Sequence, residues 1–315
     1  METAMEMISV AKDCGADAVK FQTFITEEGI AKNSQKAQYQ KETTGADETQ
    51  FEMVKKLELR FEDFTLLKKH ADSLGIEFMS TPFDLPSIDY LAQLGMQRFK
   101  IPSGELVHLQ YLRRLAQLHR KYVISTGMCE MDEIKDALEV FYKAGVPKDD
   151  IVILHANTQY PTPFEDVNLR AMTGMGIELG LKYGYSDHTP GIEVPVAAAA
   201  LGACVIEKHF TLDKTMTGPD HSASLEPAEL KAMISAVRNI EKALGDGVKK
   251  PSPSETPNKA IARKSLFAKR FIKKGELFTY ENLTAKRPGT GISPMRIDEF
   301  VGKPADRDYQ EEEML

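Results

Sequence analysis

Apolar runs of strand length recur along the first two thirds of the chain, and each is followed by an amphipathic stretch of helical period. In stretches such as 61–74, 87–94 and 131–144, apolar residues repeat every three or four positions and charged residues lie between them. The apolar runs predict seven strands, at 18–24, 77–83, 98–103, 122–127, 152–157, 183–188 and 204–210. Strands and helices that alternate at this spacing indicate a parallel sheet covered by helices.

The alternating region favours a (β/α)8 TIM barrel, because its length approaches the roughly 250 residues typical of that fold. No Gly-x-Gly-x-x-Gly string follows a strand, which argues against a doubly wound, dinucleotide-binding sheet. A barrel of this class has eight strands, whereas the pattern predicts seven and opens on a helix at 3–13. We therefore expect an α/β TIM barrel whose first strand is missing from this sequence.

The pattern changes after a long charged helix at 226–244. The next stretch, 245–257, contains three prolines and two glycines, a composition typical of linkers. Beyond it, short β-like pieces at 262–268 and 283–286 replace the alternation of strand and helix. The sequence predicts three parts: a barrel domain at 1–245, a linker at 246–257 and a small β-rich domain at 258–315.

Charge and cysteine content exclude several classes of protein. With 47 acidic and 40 basic residues, the chain lacks the concentrated Lys and Arg that bind nucleic-acid phosphates. The cysteines Cys14, Cys129 and Cys204 form no Cys-x-x-Cys pair, so neither a disulfide framework nor a zinc cluster is expected, and a reducing cytoplasm fits. No signal peptide is recognisable, and no apolar run reaches the roughly 18 residues that cross a bilayer, so no membrane partner is expected.

Charged side chains stand inside and at the ends of strands that should be apolar. Barrel strands are buried on both faces, so a lysine or histidine within one requires a partner or a ligand. Lys20 and Lys100 occupy matching positions of two strands, which favours an anion site over solvated edge residues. His188 and His209 end consecutive strands and can offer imidazole nitrogens to one metal ion, whereas His155 fits a packed core residue equally well. Because barrel active sites lie at the carboxyl ends of the strands, the set predicts a site for a phosphorylated anion and a divalent metal.

Eight short strings together resemble the sialic acid synthase family. They are Val19–Thr23, Phe99–Glu105, Ile124–Met128, Gln159–Pro163, Tyr185–Thr189, Ile206–Asp213, Gly218–Asp220 and Lys286–Gly289. The resemblance runs almost from end to end and implies a barrel joined to an antifreeze-like (SAF) domain. It also implies that phosphoenolpyruvate condenses with an N-acetylhexosamine, usually N-acetylmannosamine, to give a nine-carbon 2-keto acid and phosphate. The cofactor implied is a divalent metal, Mn²⁺ with Mg²⁺ or Co²⁺ as alternatives.

The resemblance also implies roles for individual residues. The catalytic set is Lys20, Lys100 and Glu105, and the metal ligands are His188 and His209. The phosphoenolpyruvate positions are Lys20, Lys100, Ser103, Ser125 and Ser186, and the sugar positions are Gln22, Glu105, Tyr160 and Asp220. Asn157 joins the substrate-binding set because it adjoins position 158, where the family often has asparagine. Arg287 matches an arginine of the small domain that enters the partner subunit's site, so a homodimer is expected.

The leading hypothesis is an N-acetylneuraminate synthase. Two alternatives remain: a legionaminic or pseudaminic acid synthase that uses a 2,4-diacetamido-6-deoxyhexose, and a non-catalytic paralogue that binds the ligands without reaction. The second alternative rests on one departure. The family's first strand leads into a loop with a catalytic glutamate and an Asn-His-Asn-Gly-like string, and no such segment precedes Thr3.

Overall fold

The computed structural model describes all 315 residues and divides into two compact units, Met1–Gly245 and Asp246–Leu315. In the first unit the strands are β1 (Ala18–Thr23), β2 (Glu77–Pro82), β3 (Arg98–Ile101), β4 (Lys121–Ser125), β5 (Ile151–Ala156), β6 (Lys182–Asp187) and β7 (Ile206–Lys208). Its helices are α1 (Glu2–Asp13), α2 (Thr26–Gly29), α3 (Gln38–Thr44), α4 (Gln50–Lys55), α5 (Phe61–Leu74), α6 (Leu85–Gln93), α7 (Leu109–Ala116), α8 (Met131–Lys143), α9 (Leu169–Leu179), α10 (Glu193–Ala200) and α11 (Pro227–Leu244).

All seven strands of this unit pair in parallel and follow one another in sequence order. β1 pairs with β2, and β3 to β7 form one five-stranded sheet. Strands in sequence order, each followed by helix, make up the wall of a (β/α) barrel. The prediction of seven parallel strands is confirmed, with bounds that differ by one or two residues at most ends.

The main core lies between the strands and the helices that cover them. Helix α5 shows why the sequence folds this way: Phe64, Leu67 and Ala71 repeat at helical spacing and are fully buried, while Lys68 and Asp72 form an ion pair on the outer side. Removal of each large side chain from water contributes about 1.5–3 kcal/mol. Helix α5 ends at Gly75, whose φ of +66° suits the residue without a Cβ atom.

A second apolar cluster fills the space inside the strands. It contains Met79 of β2, Val123 of β4 and Leu154 of β5, so side chains of strands that are not neighbours meet. Gly184 of β6 lies against this cluster, where a Cβ atom would be 2.1 Å from the carbonyl oxygen of Val205 and 2.8 Å from Leu154 Cδ2. Only glycine allows the chain to approach so closely there. The strands therefore curve around a packed interior.

The second unit contains helix α12 (Thr256–Ala262) and the antiparallel strands β8 (Ser265–Ala268) and β9 (Leu283–Lys286). Its core consists of Ala268, Ile272, Phe278, Leu283, Ala305 and Tyr309. Helix α12 differs from the sequence prediction, since it begins within the predicted linker at 246–257. Proline is tolerated in the first turn of a helix, where its missing N–H group has no partner to lose. No helix of the chain combines the length and apolar content needed to span a membrane.

Candidate active site

Three charged side chains from separate strands meet in the interior of the barrel unit. Glu207 of β7 forms ion pairs with two ammonium groups. Lys20 Nζ of β1 lies 3.2 Å from its Oε2, and Lys100 Nζ of β3 lies 3.3 Å from its Oε1. Lys100 Nζ also donates to Ser125 Oγ at 2.6 Å, and Ser186 Oγ donates to Glu207 Oε1 at 2.7 Å. The structure thus brings together four of the predicted substrate positions around one carboxylate.

Burial shapes the charges of this cluster. Lys100 is 3% exposed, and burial lowers the pKa of its ammonium group to about 8, although Glu207 partly opposes the shift. Burial alone would raise the pKa of Glu207, but the charges of Lys100 and Lys20 outweigh it and hold this pKa well below its usual range. With the lysines protonated, two ammonium groups face one carboxylate, so the cluster favours an anion.

Glu207 is not among the residues predicted from the sequence. Its signal was available, because an acidic residue between Ile206 and Lys208 is as unexpected in a barrel strand as a lysine is. A buried carboxylate is the counter-charge that two buried ammonium groups require.

Next to this cluster, the rings of His188 and His209 lie 5.2 Å apart, centre to centre. The ring of Tyr160 packs against both, at 4.1 Å from His188 and 5.4 Å from His209. His188 Nδ1 lies 2.5 Å from the carbonyl oxygen of Asn157, so Nδ1 carries the proton and Nε2 keeps its lone pair. His209 Nδ1 lies 3.6 Å from Asp220 Oδ2.

The chemistry of these donors fits a divalent metal. Burial, with the nearby Lys20 charge, lowers the pKa of His209 to about 3, and burial also lowers the pKa of His188, so both imidazoles are neutral. Carbonyl and carboxylate partners on the second ring nitrogen are typical of metal-binding histidines. No group of three His, Cys, Asp or Glu side chains is placed to hold an ion by itself. Water and substrate oxygens would have to complete the coordination.

Three further predicted residues border the same region. Ser103 Oγ accepts a hydrogen bond from the Gly127 amide at 2.8 Å, where a Cβ on Gly127 would crowd it at 3.0 Å. Gln22 is exposed and lines one cleft together with Lys20, Glu207, His209 and Asp220. The side chain of Asn157 accepts from the Gln159 amide at 2.7 Å, so it shapes the turn that carries Tyr160.

Two predicted residues lie outside this network of contacts. Glu105 Oε2 pairs with His108 Nδ1 at 2.8 Å, in the turn after β3. Arg287 belongs to the second unit, where its Nε donates to the carbonyl oxygen of Ala262 at 3.0 Å and the side chain is exposed. The three cysteines are free thiols.

Asp187 and Lys208 form a separate buried ion pair. Each is the neighbour in sequence of a predicted metal ligand, and their side chains are 0% and 1% exposed. Lys208 Nζ lies 2.5 Å from Asp187 Oδ2, and Thr189 Oγ1 donates to Asp187 Oδ1 at 2.9 Å. The pair fixes the ends of β6 and β7 on which the two histidines stand.

Comparison with known proteins defines the class. The NeuB family model matches residues 7–249, and the SAF domain model matches residues 263–315. The chain therefore belongs to the NeuB family. The resemblance to the sialic acid synthases and the predicted barrel with a C-terminal SAF domain are both confirmed.

Individual relatives carry more specific names. The chain is similar to N,N'-diacetyllegionaminic acid synthase of Campylobacter jejuni subsp. jejuni serotype O:2, with 52% identity over 100% of this chain and 94% of that protein. It is 47% identical to the enzyme of the same name from Legionella pneumophila subsp. pneumophila, over 96% and 85%. It also resembles the crystal structure of N-acetylneuraminic acid (sialic acid) synthetase from Leptospira borgpetersenii serovar Hardjo-bovis in complex with citrate. That match has a TM-score of 0.72 and 34% identity, and covers 82% of this chain and 84% of the other.

Proposed function

We propose that this protein condenses phosphoenolpyruvate with a 2,4-diacetamido-6-deoxyhexose to form an N,N'-diacetyllegionaminic acid. The identities of 52% and 47% to two synthases of that name favour this product over N-acetylneuraminate, the leading hypothesis from the sequence, since the sialic acid synthetase is 34% identical. The observation that carries the reaction class is the cluster of Lys20, Lys100 and Glu207 beside His188 and His209.

The cluster supplies the donors that phosphoenolpyruvate requires. Its phosphate and carboxylate groups are anions, and Lys20, Lys100, Ser125 and Ser186 present ammonium and hydroxyl groups. Glu207 holds the two lysines in place before the substrate arrives. Positioning of this kind lowers the barrier because the reacting carbon, C3 of phosphoenolpyruvate, is oriented before the reaction begins.

The sugar occupies the other side of the site in this proposal. Gln22 and Asp220 line the cleft and offer amide and carboxylate groups to sugar hydroxyls. Tyr160, which packs on His209, offers a phenol, and Glu105 is assigned by resemblance alone. A bound divalent ion, Mn²⁺ with Mg²⁺ or Co²⁺ as alternatives, would polarise the sugar aldehyde as a Lewis acid. Asn157 and Asp220 would orient the imidazoles of His188 and His209 toward it. C3 of phosphoenolpyruvate then bonds to the aldehyde carbon, water adds to C2, and phosphate leaves.

A homodimer completes the proposal. Arg287 is exposed in the second unit and retains guanidinium N–H groups beyond the one bound to Ala262. By resemblance, this arginine enters the site of the partner subunit and contacts the sugar. In this proposal Arg287 acts in the active site of the neighbouring subunit.

Phosphate release tests the proposed function. The purified chain is supplied with Mn²⁺, phosphoenolpyruvate and one sugar, either the 2,4-diacetamido-6-deoxyhexose or N-acetylmannosamine, and the product mass is recorded. We expect the higher kcat/KM with the diacetamido sugar. A preference for N-acetylmannosamine contradicts the proposed specificity. Thermal stabilisation by phosphoenolpyruvate without any product supports the non-catalytic alternative.

A further inference from the structure

The segment between β1 and α4 is held together by a buried lysine. Lys36 Nζ donates to Thr44 Oγ1 at 2.9 Å and to the carbonyl oxygen of Gly45 at 3.0 Å, and it pairs with Glu48 Oε1 at 3.0 Å. Its side chain is 1% exposed. These contacts close residues 36–48 into a compact cap, which contains helix α3. A buried ammonium group with three partners resists rearrangement, since any opening would leave its charge unpaired.

The cap places one aromatic ring against the active site. Tyr39 of α3 stacks on Tyr160, with ring centres 5.2 Å apart and planes inclined by 27°. Tyr160 in turn packs on His188 at 4.1 Å. Burial raises the pKa of the Tyr39 phenol to about 12, and the charge of Asp220 adds to the shift, so the ring is neutral. Tyr39 therefore lies on the side of Tyr160 and Asp220, where the sugar is proposed to bind.

We infer that Tyr39 is a specificity-determining residue whose ring packs against an acetamido or 6-methyl group of the sugar. The inference rests on the proposed function and adds the residue that distinguishes between sugars. A neutral aromatic face packs well against a methyl group, but it offers no hydrogen bond to the polar C6 hydroxyl of N-acetylmannosamine. The diacetamido sugar offers two acetamido methyl groups and a C6 methyl, so its binding gains more from contact with the Tyr39 ring.

The test measures kcat and KM for both sugars with the wild-type chain and with Tyr39→Ala. A methyl group in an apolar pocket is worth roughly 10–200-fold in discrimination, so we expect the ratio of kcat/KM values, diacetamido sugar over N-acetylmannosamine, to fall about tenfold or more. The change should appear in KM for the sugar, with KM for phosphoenolpyruvate unchanged. Tyr39→Phe keeps the ring and should retain the ratio. Gln38→Ala removes an exposed side chain from the same helix and serves as the matched control.

Lys36→Met provides a second, independent variant. It retains the volume of the side chain but removes the contacts that close the cap, so the ratio should fall in the same direction. An unchanged ratio in folded Tyr39→Ala, or an equal loss with both sugars, overturns the inference and leaves the proposed function intact. Absence of turnover by the wild-type chain with either sugar instead contradicts the proposed function.

Discussion

Lys20 Nζ lies 3.2 Å from Glu207 Oε2, and this ion pair joins the first and last parallel strands of the barrel unit. β1 and β7 share no backbone hydrogen bonds, so the side-chain contact links two strands that the sheet itself does not connect. Lys100 on β3 shares the same carboxylate at 3.3 Å. One glutamate thus links three strands and two lysines, so its removal should affect both stability and the proposed anion site.

Substitution Glu207→Gln should lower the free energy of unfolding by about 3–5 kcal/mol, the usual cost of leaving buried charges without their partner. Urea denaturation measures the effect. The control is Lys55→Gln, which removes the exposed ion pairs with Glu27 and Glu58 and should lower the free energy of unfolding far less, because solvent screens exposed pairs. Equal losses of unfolding free energy in the two variants would show that Glu207 stabilises the fold no more than an exposed ion pair does.

The pKa of about 8 for Lys100 predicts a pH dependence. Glu207, Lys20 and Ser125 face its ammonium group, which is charged below pH 8 and neutral above it. We expect kcat/KM for phosphoenolpyruvate to decline about tenfold per pH unit above that value. In Lys100→Arg the side chain stays charged, so the decline should disappear even if the rate is lower. A decline that persists unchanged in this variant assigns it to another group.

The lowered pKa of Lys100 also makes stability depend on pH, in the direction opposite to that expected for activity. The pKa of Lys100 is about 8 in the folded chain and 10.5 by its ordinary value, so between these pH values the unfolded chain binds a proton that the folded chain lacks. The free energy of unfolding should therefore gain from Lys100 as the pH rises through this range. The difference between wild type and Lys100→Met, measured by urea denaturation at pH 7.5 and at pH 10, isolates this contribution.

The buried pair of Asp187 and Lys208 should behave differently when one partner or both are replaced. Asp187→Asn leaves Lys208 without its counter-charge and should destabilise the fold by about 3–5 kcal/mol. The double variant Asp187→Leu with Lys208→Met removes both charges and should recover most of that loss. Thermal unfolding of the wild type, of the single variants Asp187→Leu and Lys208→Met, and of the double variant measures this coupling. Additive losses would contradict a direct interaction.

Substitution His209→Ala should abolish both Mn²⁺ binding and Mn²⁺-dependent phosphate release, because one imidazole of the pair is lost. Titration calorimetry with Mn²⁺ measures binding without the reaction. His119→Asn is the control: this exposed histidine has a φ of +48°, which asparagine tolerates. Full activity of either chain under chelation would contradict a metal requirement.

Complementation tests the role of Arg287. Chains with Arg287→Ala and chains with Lys100→Met are mixed under conditions that exchange subunits, after each has been shown to be inactive alone. A mixed dimer contains one site with an intact barrel and an intact partner arginine, so phosphate release should partly return. No return in verified mixed dimers would mean that each chain completes its own site.

Sequence reasoning predicted the parts of this structure that depend on local pattern. The strand predicted at 183–188 lies at Lys182–Asp187, one residue earlier. The strand predicted at 204–210 shortens to Ile206–Lys208, because the His209 carbonyl already bonds to the Leu225 amide and the chain leaves the sheet.

The site residues also divide into those that local sequence pattern predicts and those that depend on tertiary contacts. The sequence alone shows where a basic residue or histidine interrupts or ends a predicted strand. This signal predicted Lys20, Lys100, His188 and His209. The position of Tyr39 depends on a cap closed by Lys36, and no periodicity encodes contacts across so irregular a segment. Tertiary contacts of loops are the part of a site that a single sequence least reveals.

In the proposed anion site, the carboxylate of Glu207 would compete with a bound anion for the two lysines. A phosphate group that approaches Lys20 and Lys100 finds both ammonium groups already engaged, so binding is an exchange of one oxyanion for another. Such exchange weakens affinity for any anion that offers no contact besides its charge. We expect free inorganic phosphate to be expelled readily, and turnover to escape inhibition by its own product.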